Sequence, residues 1–341
     1  MIKKFFIRLT NWEYWPFAVL YFPIFIYYGW LILKHRSFFF FTASNPSIEF
    51  GGMFGEKKSD IFKLIPAEHL PKTVLVQQGD LERASFMAEE IGFPIIAKPD
   101  VGERGVWVEK INNQNQLKEY VRKCPVNFLL QELIDYPIEL GVFFVRKPDE
   151  KGKITSIVRK DFLTVTGDGN TKLIDLLEKN ERALMTADLK SDFVVANKEL
   201  ILKHGETLVV EPIGNHCRGT KFLNDNHEID DELTDAFNEL ADQVPDFYFG
   251  RFDLKCTSYS DLKQLKNFKI LELNGAGAEP GHIYEPGYPL WKAYSDILWH
   301  LRLLSDISAL NRKRGHSYWS FWKGYHMWKS HRRYNRLLTS S

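Results

Sequence analysis

The spacing of apolar residues along this chain changes period repeatedly, and each change marks an element. In Phe249-Gly250-Arg251-Phe252-Asp253-Leu254 and in Ile270-Leu271-Glu272-Leu273-Asn274, apolar and polar positions alternate, the period of a half-buried strand. Side chains two apart on a strand share a face, so Arg251 goes with Asp253 and Glu272 with Asn274. Further strands are predicted over 95–98, 128–132, 139–146 and 154–165. A helical period predicts helices over 57–70, 81–91 (capped by Asp80), 114–123, 173–187, 232–244 and 291–304. Strands and helices interleave, which predicts an α+β fold.

The two ends break this pattern. Residues 15–33 carry no charge; at about 1.5 Å per residue a helix of that length approaches the roughly 30 Å of a bilayer's hydrocarbon core. Trp12, Tyr14 and Trp15 stand at one end and Tyr27, Tyr28 and Trp30 towards the other, as in interfacial aromatic belts. Lys3, Lys4 and Arg8 precede the run and Lys34, His35 and Arg36 follow it, so the flanking charge sets no orientation. Pro16 and Pro23 argue against a straight span. The segment is expected to hold the protein to a lipid bilayer, either crossing it or dipping into one leaflet. At the other end Arg312, Arg314, Lys323, Lys329, Arg332, Arg333 and Arg336 interleave with Trp319, Trp322, Tyr325, Trp328 and Tyr334. That spacing predicts a basic amphipathic helix suited to an anionic lipid surface. It carries no recognised nucleic-acid motif, and no nucleic-acid partner is expected. Three units follow: a hydrophobic anchor over 1–50, a central domain over 51–305 and a basic aromatic tail over 306–341.

Charge and cysteine content add little beyond compartment. The chain has 45 Lys and Arg against 44 Asp and Glu, so no polyanionic partner follows from net charge. Its three cysteines, at 124, 217 and 256, form no metal-binding spacing and no disulfide framework, which fits a reducing compartment. The expected location is the cytoplasmic side, attached to the inner face of the cell membrane.

Candidate chemistry lies in the central domain. If the strands at 249–254 and 270–274 are neighbours, Asp253, Glu272 and Asn274 converge beside Arg251. Such an all-oxygen set holds Mg²⁺, with Mn²⁺ as the alternative, and leaves positions for water and phosphate oxygens. Arg251 would neutralise charge developing on an oxyanion. Upstream, Lys98 ends an apolar run, where an ammonium is costly unless it meets an anion. Behind it Gly102 and Gly105 allow close approach of backbone N–H groups to phosphates, with Arg104 between them. The strand ending in Gln131-Glu132 offers an edge that can read an adenine, and the carboxylate of Glu139 can take both ribose hydroxyls.

This order of motifs resembles the ATP-grasp superfamily of carboxylate–amine ligases. The spacing is similar to that of D-alanine–D-alanine ligases. The stretch Val165-Thr166-Gly167-Asp168-Gly169-Asn170-Thr171, with Leu173, Ile174 and Asn180, looks closer to the ATP-grasp domain of cyanophycin synthetases. The likeness covers roughly residues 57–300. It implies an ATP-grasp fold, two α/β subdomains clasping ATP, here joined to the anchor and the basic helix. It also implies an ATP- and Mg²⁺-dependent ligase forming an amide or related acyl bond through an acylphosphate, from a carboxylate donor and an amine acceptor. By the resemblance Lys63 and Lys98 clasp the phosphates, Arg159 or Lys160 reaches the γ-phosphate, and Arg218 is a carboxylate or phosphate clamp. His282, Tyr284 and Glu285 are expected at the substrate end. Two departures stand out: Cys217-Arg218-Gly219-Thr220 replaces a Ser-x-Gly-Gly form, and Gly275-Ala276-Gly277-Ala278-Glu279-Pro280 replaces the usual substrate loop. Where the family usually places a leading α/β domain before the lysine strand, the hydrophobic segment is expected to take its place. The competing readings are an ATP-grasp phosphotransferase and a non-catalytic nucleotide-binding membrane scaffold.

Overall fold

The computed structural model describes residues 2–103, 105–186, 192–211, 214 and 216–339, the side chains of residues 2, 3, 192 and 217 excepted. The N-terminal part is helical, with α1 (Ile2–Thr10), α2 (Phe17–His35) and a single-turn α3 (Lys58–Phe62). A first lobe follows, built on β1 (Thr73–Val76), β2 (Ile95–Pro99), β3 (Glu109–Ile111) and β4 (Phe128–Glu132), all antiparallel in the order β1-β4-β2-β3. Its helices are α4 (Leu81–Ile91) and α5 (Gln114–Lys123). Asp80 starts α4 by accepting the Arg83 N–H at 3.0 Å, and Asn113 starts α5 by accepting from Asn115 and Gln116. Ala84 and Ala88, one turn apart, and Leu117, Tyr120 and Val121 are the faces these helices bury in the lobe's core.

The second lobe is the antiparallel sheet β11-β10-β5-β6-β9: β5 (Ile138–Val145), β6 (Lys153–Asp161), β9 (Lys221–Asn224), β10 (Phe249–Cys256) and β11 (Phe268–Asn274). Helix α9 (Asp231–Asp242) lays Leu233, Phe237 and Leu240 into the same core as Phe252 and Leu254 of β10. A short α10 (Tyr259–Lys263) links β10 to β11. Between β6 and β9 the chain detours through a small unit of its own: β7 (Leu163–Thr166), β8 (Thr207–Glu211), α6 (Leu173–Lys179), α7 (Glu181–Thr186) and α8 (Asp192–Asn197). The helix expected over 173–187 is divided there, because the Asn180 side chain accepts the N–H groups of Arg182 and Ala183 and starts a new helix. The expected helix over 57–70 is likewise reduced to α3, with Pro66 stopping its continuation.

Two long helices close the molecule, α11 (Leu290–Lys313) and α12 (Phe321–Thr339). Helix α2 lies on α11: Leu20, Tyr21 and Ile24 pack with Ile283, Ala293 and Ile297, and Leu31 joins Leu304 and Ile307. The rest of α2 is bare, with Phe17, Phe22, Phe25, Ile26, Trp30 and Leu33 each half or more exposed. By length and composition alone it could cross a membrane. Residues 40–50, expected with the anchor, sit in the core, where Phe40 and Phe50 are fully buried. Asn45 fixes them to the start of β10, accepting from the Tyr248 and Phe249 N–H groups and donating to the Phe249 and Gly51 carbonyls.

Two antiparallel lobes with a cavity between them fit the arrangement the ATP-grasp resemblance implies, while the extra helices α1, α2 and α12 add to it.

Candidate active site

One cavity of about 1090 Å³ runs between the lobes and is lined from both. Its charged end is built on β10 and β11, whose register sets Arg251 opposite Asn274 and Asp253 opposite Glu272. The convergence expected from the alternation is therefore present. Arg251 holds Asp253 with two N–H groups, at 2.7 and 3.0 Å, and Asn274 donates to the same carboxylate at 3.2 Å. A bidentate pair of this kind fixes both groups in orientation. Burial works against charge on both carboxylates. Even so, Arg251 and Lys160 hold Asp253 below the ordinary carboxylate range, and Lys58 and Lys98 do the same for Glu272.

Above this floor stand four lysines. Lys98, buried on β2, donates to Gln131 Oε1 at 2.9 Å and to the Leu271 carbonyl at 3.1 Å. Burial pushes its ammonium down to about 8, a shift that Glu272 only partly offsets. Lys58 meets Glu272 at 3.2 Å and the Gly102 carbonyl at 2.6 Å. Lys160 pairs with Glu139 at 3.0 Å, while Lys255 meets the Ile134 carbonyl at 3.0 Å. Gly102 and Gly105 line the same space, as do Gln131 and Glu132. With Arg251, these lysines gather five cations around Glu139, Asp253 and Glu272, while Glu13, Glu56, Glu103, Glu132 and Glu279 line other parts of the same cavity.

No family model and no curated protein matches the chain. Among solved structures it is similar to D-alanine–D-alanine ligase from Bacillus anthracis, at 13% identity over 76% of this chain and 68% of that one, TM-score 0.44. VanG D-Ala:D-Ser ligase from Enterococcus faecalis follows at 17% identity, 74% and 61% coverage and TM-score 0.42. The ATP-grasp ligase PsnB, complexed with a minimal precursor, is similar at 15% identity, 72% and 60% coverage and TM-score 0.37. The chain thus spans about three fifths of the length of the last two.

Most of the residues expected at the site reach it, and some do not. Lys63 stands in solvent, bound to Asp60 at 2.6 Å, and Lys58 occupies the place expected of it. Because α3 stops after one turn, the lysine five residues earlier faces the cleft. Arg218 binds Glu211 at 2.9 Å and the carbonyls of Gly105 and Val108 at 3.3 Å, so it braces the glycine loop from the small unit and does not line the cavity. Arg159 pairs with Asp225 outside the cleft. Of the expected substrate-end residues only Tyr284 lines the cavity. His282 is buried against Ser156 and Asp296, and Glu285 accepts the Asn224 N–H. Arg104 lies outside the described residues.

Of the acids not anticipated in the cavity, Glu13, Glu56, Glu103 and Glu279, two stand out. Glu56 lines the cavity with its Oε2 shut off from solvent and unpartnered among the described residues, and burial raises its carboxyl to about 7. Glu279 also lines the cavity; burial raises its carboxyl, and its oxygens accept from the Tyr21 and Tyr284 hydroxyls. No sequence signal marks Glu56. Glu279 could have been suspected, because it lies in the loop that departs from the family pattern.

The donor chemistry suits a hard cation. Among the described residues no three His, Cys, Asp or Glu side chains are grouped to hold a metal. Two ionised carboxylates and a neighbouring amide do face each other across β10 and β11. Such a partial set fits Mg²⁺, which keeps waters and takes phosphate oxygens.

Proposed function

We propose that this chain is an ATP-dependent carboxylate–amine ligase of the ATP-grasp type, working at the cytoplasmic face of a membrane. The observation that carries the reading is the β10–β11 pairing, which sets Asp253 against Glu272 beside a fixed arginine and beneath buried lysines. Asp253, Glu272 and Asn274 would hold Mg²⁺. Bound there with ATP, the ion would neutralise phosphate charge, so that a substrate carboxylate can take the γ-phosphoryl group as an acylphosphate.

The protein's own part is positioning and electrostatics. Lys98 and Lys58 bridge the two lobes, so a triphosphate bound to them also holds the lobes together. Lys160 and Glu139 form a buried pair beside the β4–β5 connection, where a ribose hydroxyl can be read. Gln131 keeps Lys98 in place, itself donating to Thr73 at 2.9 Å. Arg251, locked by Asp253, presents a fixed charge to the oxyanion formed when an amine attacks the acyl group. Membrane placement is supported by the bare apolar side of α2 and by exposed Phe321, Trp322, Tyr325 and Trp328 on α12. A helix packed along one side and bare on the other suits lying in one leaflet.

Calorimetry of ATP binding with and without Mg²⁺ tests the site. The wild-type protein should bind Mg·ATP more tightly than ATP, and Asp253→Asn and Glu272→Gln should each remove that difference while retaining the fold by circular dichroism. An undiminished magnesium effect in both variants would overturn the assignment.

A further inference from the structure

The cavity has a second end that the nucleotide does not need. Beyond Arg251 it continues as an apolar arm between α2 and α11, walled by Leu20, Ile24, Ile297, Leu301 and Leu304. Phe17, Phe25 and Trp328 line it as well and are themselves exposed, so the arm opens onto the bare aromatic surface of the helical end. These walls are held in place by the α2–α11 packing and present only apolar surface to the cavity. An alkyl chain lying against them would itself be withdrawn from water, which apolar walls favour and a polar substrate cannot use.

The polar group at the junction decides the head of such a molecule. Glu279 stands there, reached by Tyr21 of α2 on one oxygen and by Tyr284 on the other at 2.7 Å, while Arg251 donates to its backbone carbonyl at 3.2 Å. The cations of the floor already have carboxylate, carbonyl and amide partners, and the Glu279 side chain takes its hydrogen bonds from hydroxyls. A carboxylate head would meet another carboxyl at this point. An ammonium would supply the positive charge that this buried carboxyl lacks and would favour its ionised form.

We propose that the amine acceptor is an amphiphile, a primary amine on a long apolar chain, with its ammonium at Glu279 and its chain in the arm between α2 and α11. This rests on the ligase reading above and names the class of its second substrate. In the reaction the ammonium gives one proton to Glu279, and the freed amine attacks the acylphosphate carbonyl. The C–N bond forms, the C–O bond to phosphorus breaks, and the second proton leaves with the phosphate, giving an N-acylated amphiphile. The chain enters from a lipid layer through the aromatic rim, which gives the exposed face of α2 a role in delivery as well as attachment.

The test is photolabelling of the full-length chain in phosphatidylcholine nanodiscs. The probe is a twelve-carbon primary amine with a diazirine on its chain, followed by peptide mapping. Label is expected on Leu20, Ile24, Ile297, Leu301 and Leu304, displaced by dodecylamine and not by dodecanoic acid. Glu279→Gln should lower it at least fivefold, and Leu301→Trp, which fills the arm, should abolish it. ATP binding, measured on the same samples, should persist in both variants. Label confined to Phe22, Ile26 and Leu33 would show bilayer contact only and overturn the proposal. So would equal labelling by the corresponding carboxylic acid probe, or arm labelling unaffected by both variants. A wild-type protein that binds no ATP would instead overturn the ligase reading itself.

Discussion

Lys98 is the residue on which pH should act most directly. Its folded-state pKa, about 8, lies below the ordinary lysine value, so burial in the free protein favours the neutral amine. The sign follows: Lys98 costs the fold stability where it is charged in place, and that cost appears as pH falls from the unfolded value through about 8. A triphosphate restores the charge. ATP binding near pH 8.5 is therefore expected to take up part of a proton, and affinity should fall as pH rises through about 8. Calorimetry in two buffers of different ionisation enthalpy measures the uptake, and Lys98→Ala should remove it while weakening ATP by about 1–3 kcal/mol. The two candidate partner lysines separate in the same assay. Lys58→Ala should weaken ATP on that scale and Lys63→Ala should not, because only Lys58 faces the cleft. The alternation of residues 249–254 and 270–274 made the Arg251, Asp253, Glu272 and Asn274 group legible. Nothing in the sequence separates Lys58 from Lys63, since that choice depends on where a one-turn helix stops.

At the scale of elements, α2 and the loop after β11 carry the features that set this chain apart from its expected pattern. The apolar run at 15–33 reads as a membrane segment, and its helix does expose a large apolar face. Its other face is part of the protein, which composition cannot disclose, because a core contact and a lipid contact select the same side chains. Point substitutions on the bare face are therefore a cleaner probe than deletion. The triple variant Phe22→Glu, Ile26→Glu, Leu33→Glu should lose vesicle binding in flotation assays and keep its ATP affinity. Wild-type protein should stay bound at high salt, since apolar burial is not screened. The Gly-Ala-Gly-Ala loop has a packing reason. Ala276 and Gly277 donate to the Gly51 and Gly52 carbonyls at 3.0 and 2.9 Å, and a side chain on Gly275 would meet the Gly51 oxygen at 2.5 Å. Gly275→Ala should cost about 1–3 kcal/mol in thermal or urea unfolding, the scale of an overpacked contact.

Across the whole molecule, the basic tail turns out to be a strap. Leu338 is buried in the first lobe's core, its carbonyl accepts from the Trp107 indole at 2.9 Å, and Gly324 sits against Phe39. Its arginines stay exposed, so one helix can both tie the glycine loop down and present charge to a surface. Truncation after Ser320 should speed hydrogen exchange across residues 101–108 and weaken ATP; unchanged exchange there would show the strap to be passive. What the sequence by itself determined were the elements with strong local periods or caps, such as α4, α5, β4 and β10, and the shared faces of Arg251 with Asp253 and of Glu272 with Asn274. Period and capping are local physics, set within a few residues. Only the tertiary structure decided which lysine faces the cleft, that residues 40–50 belong to the core, and that the cavity runs on beneath α2 to meet Glu279. Those outcomes depend on contacts between residues as far apart as Tyr21 and Glu279, where burial is fixed by whichever surfaces the fold brings together.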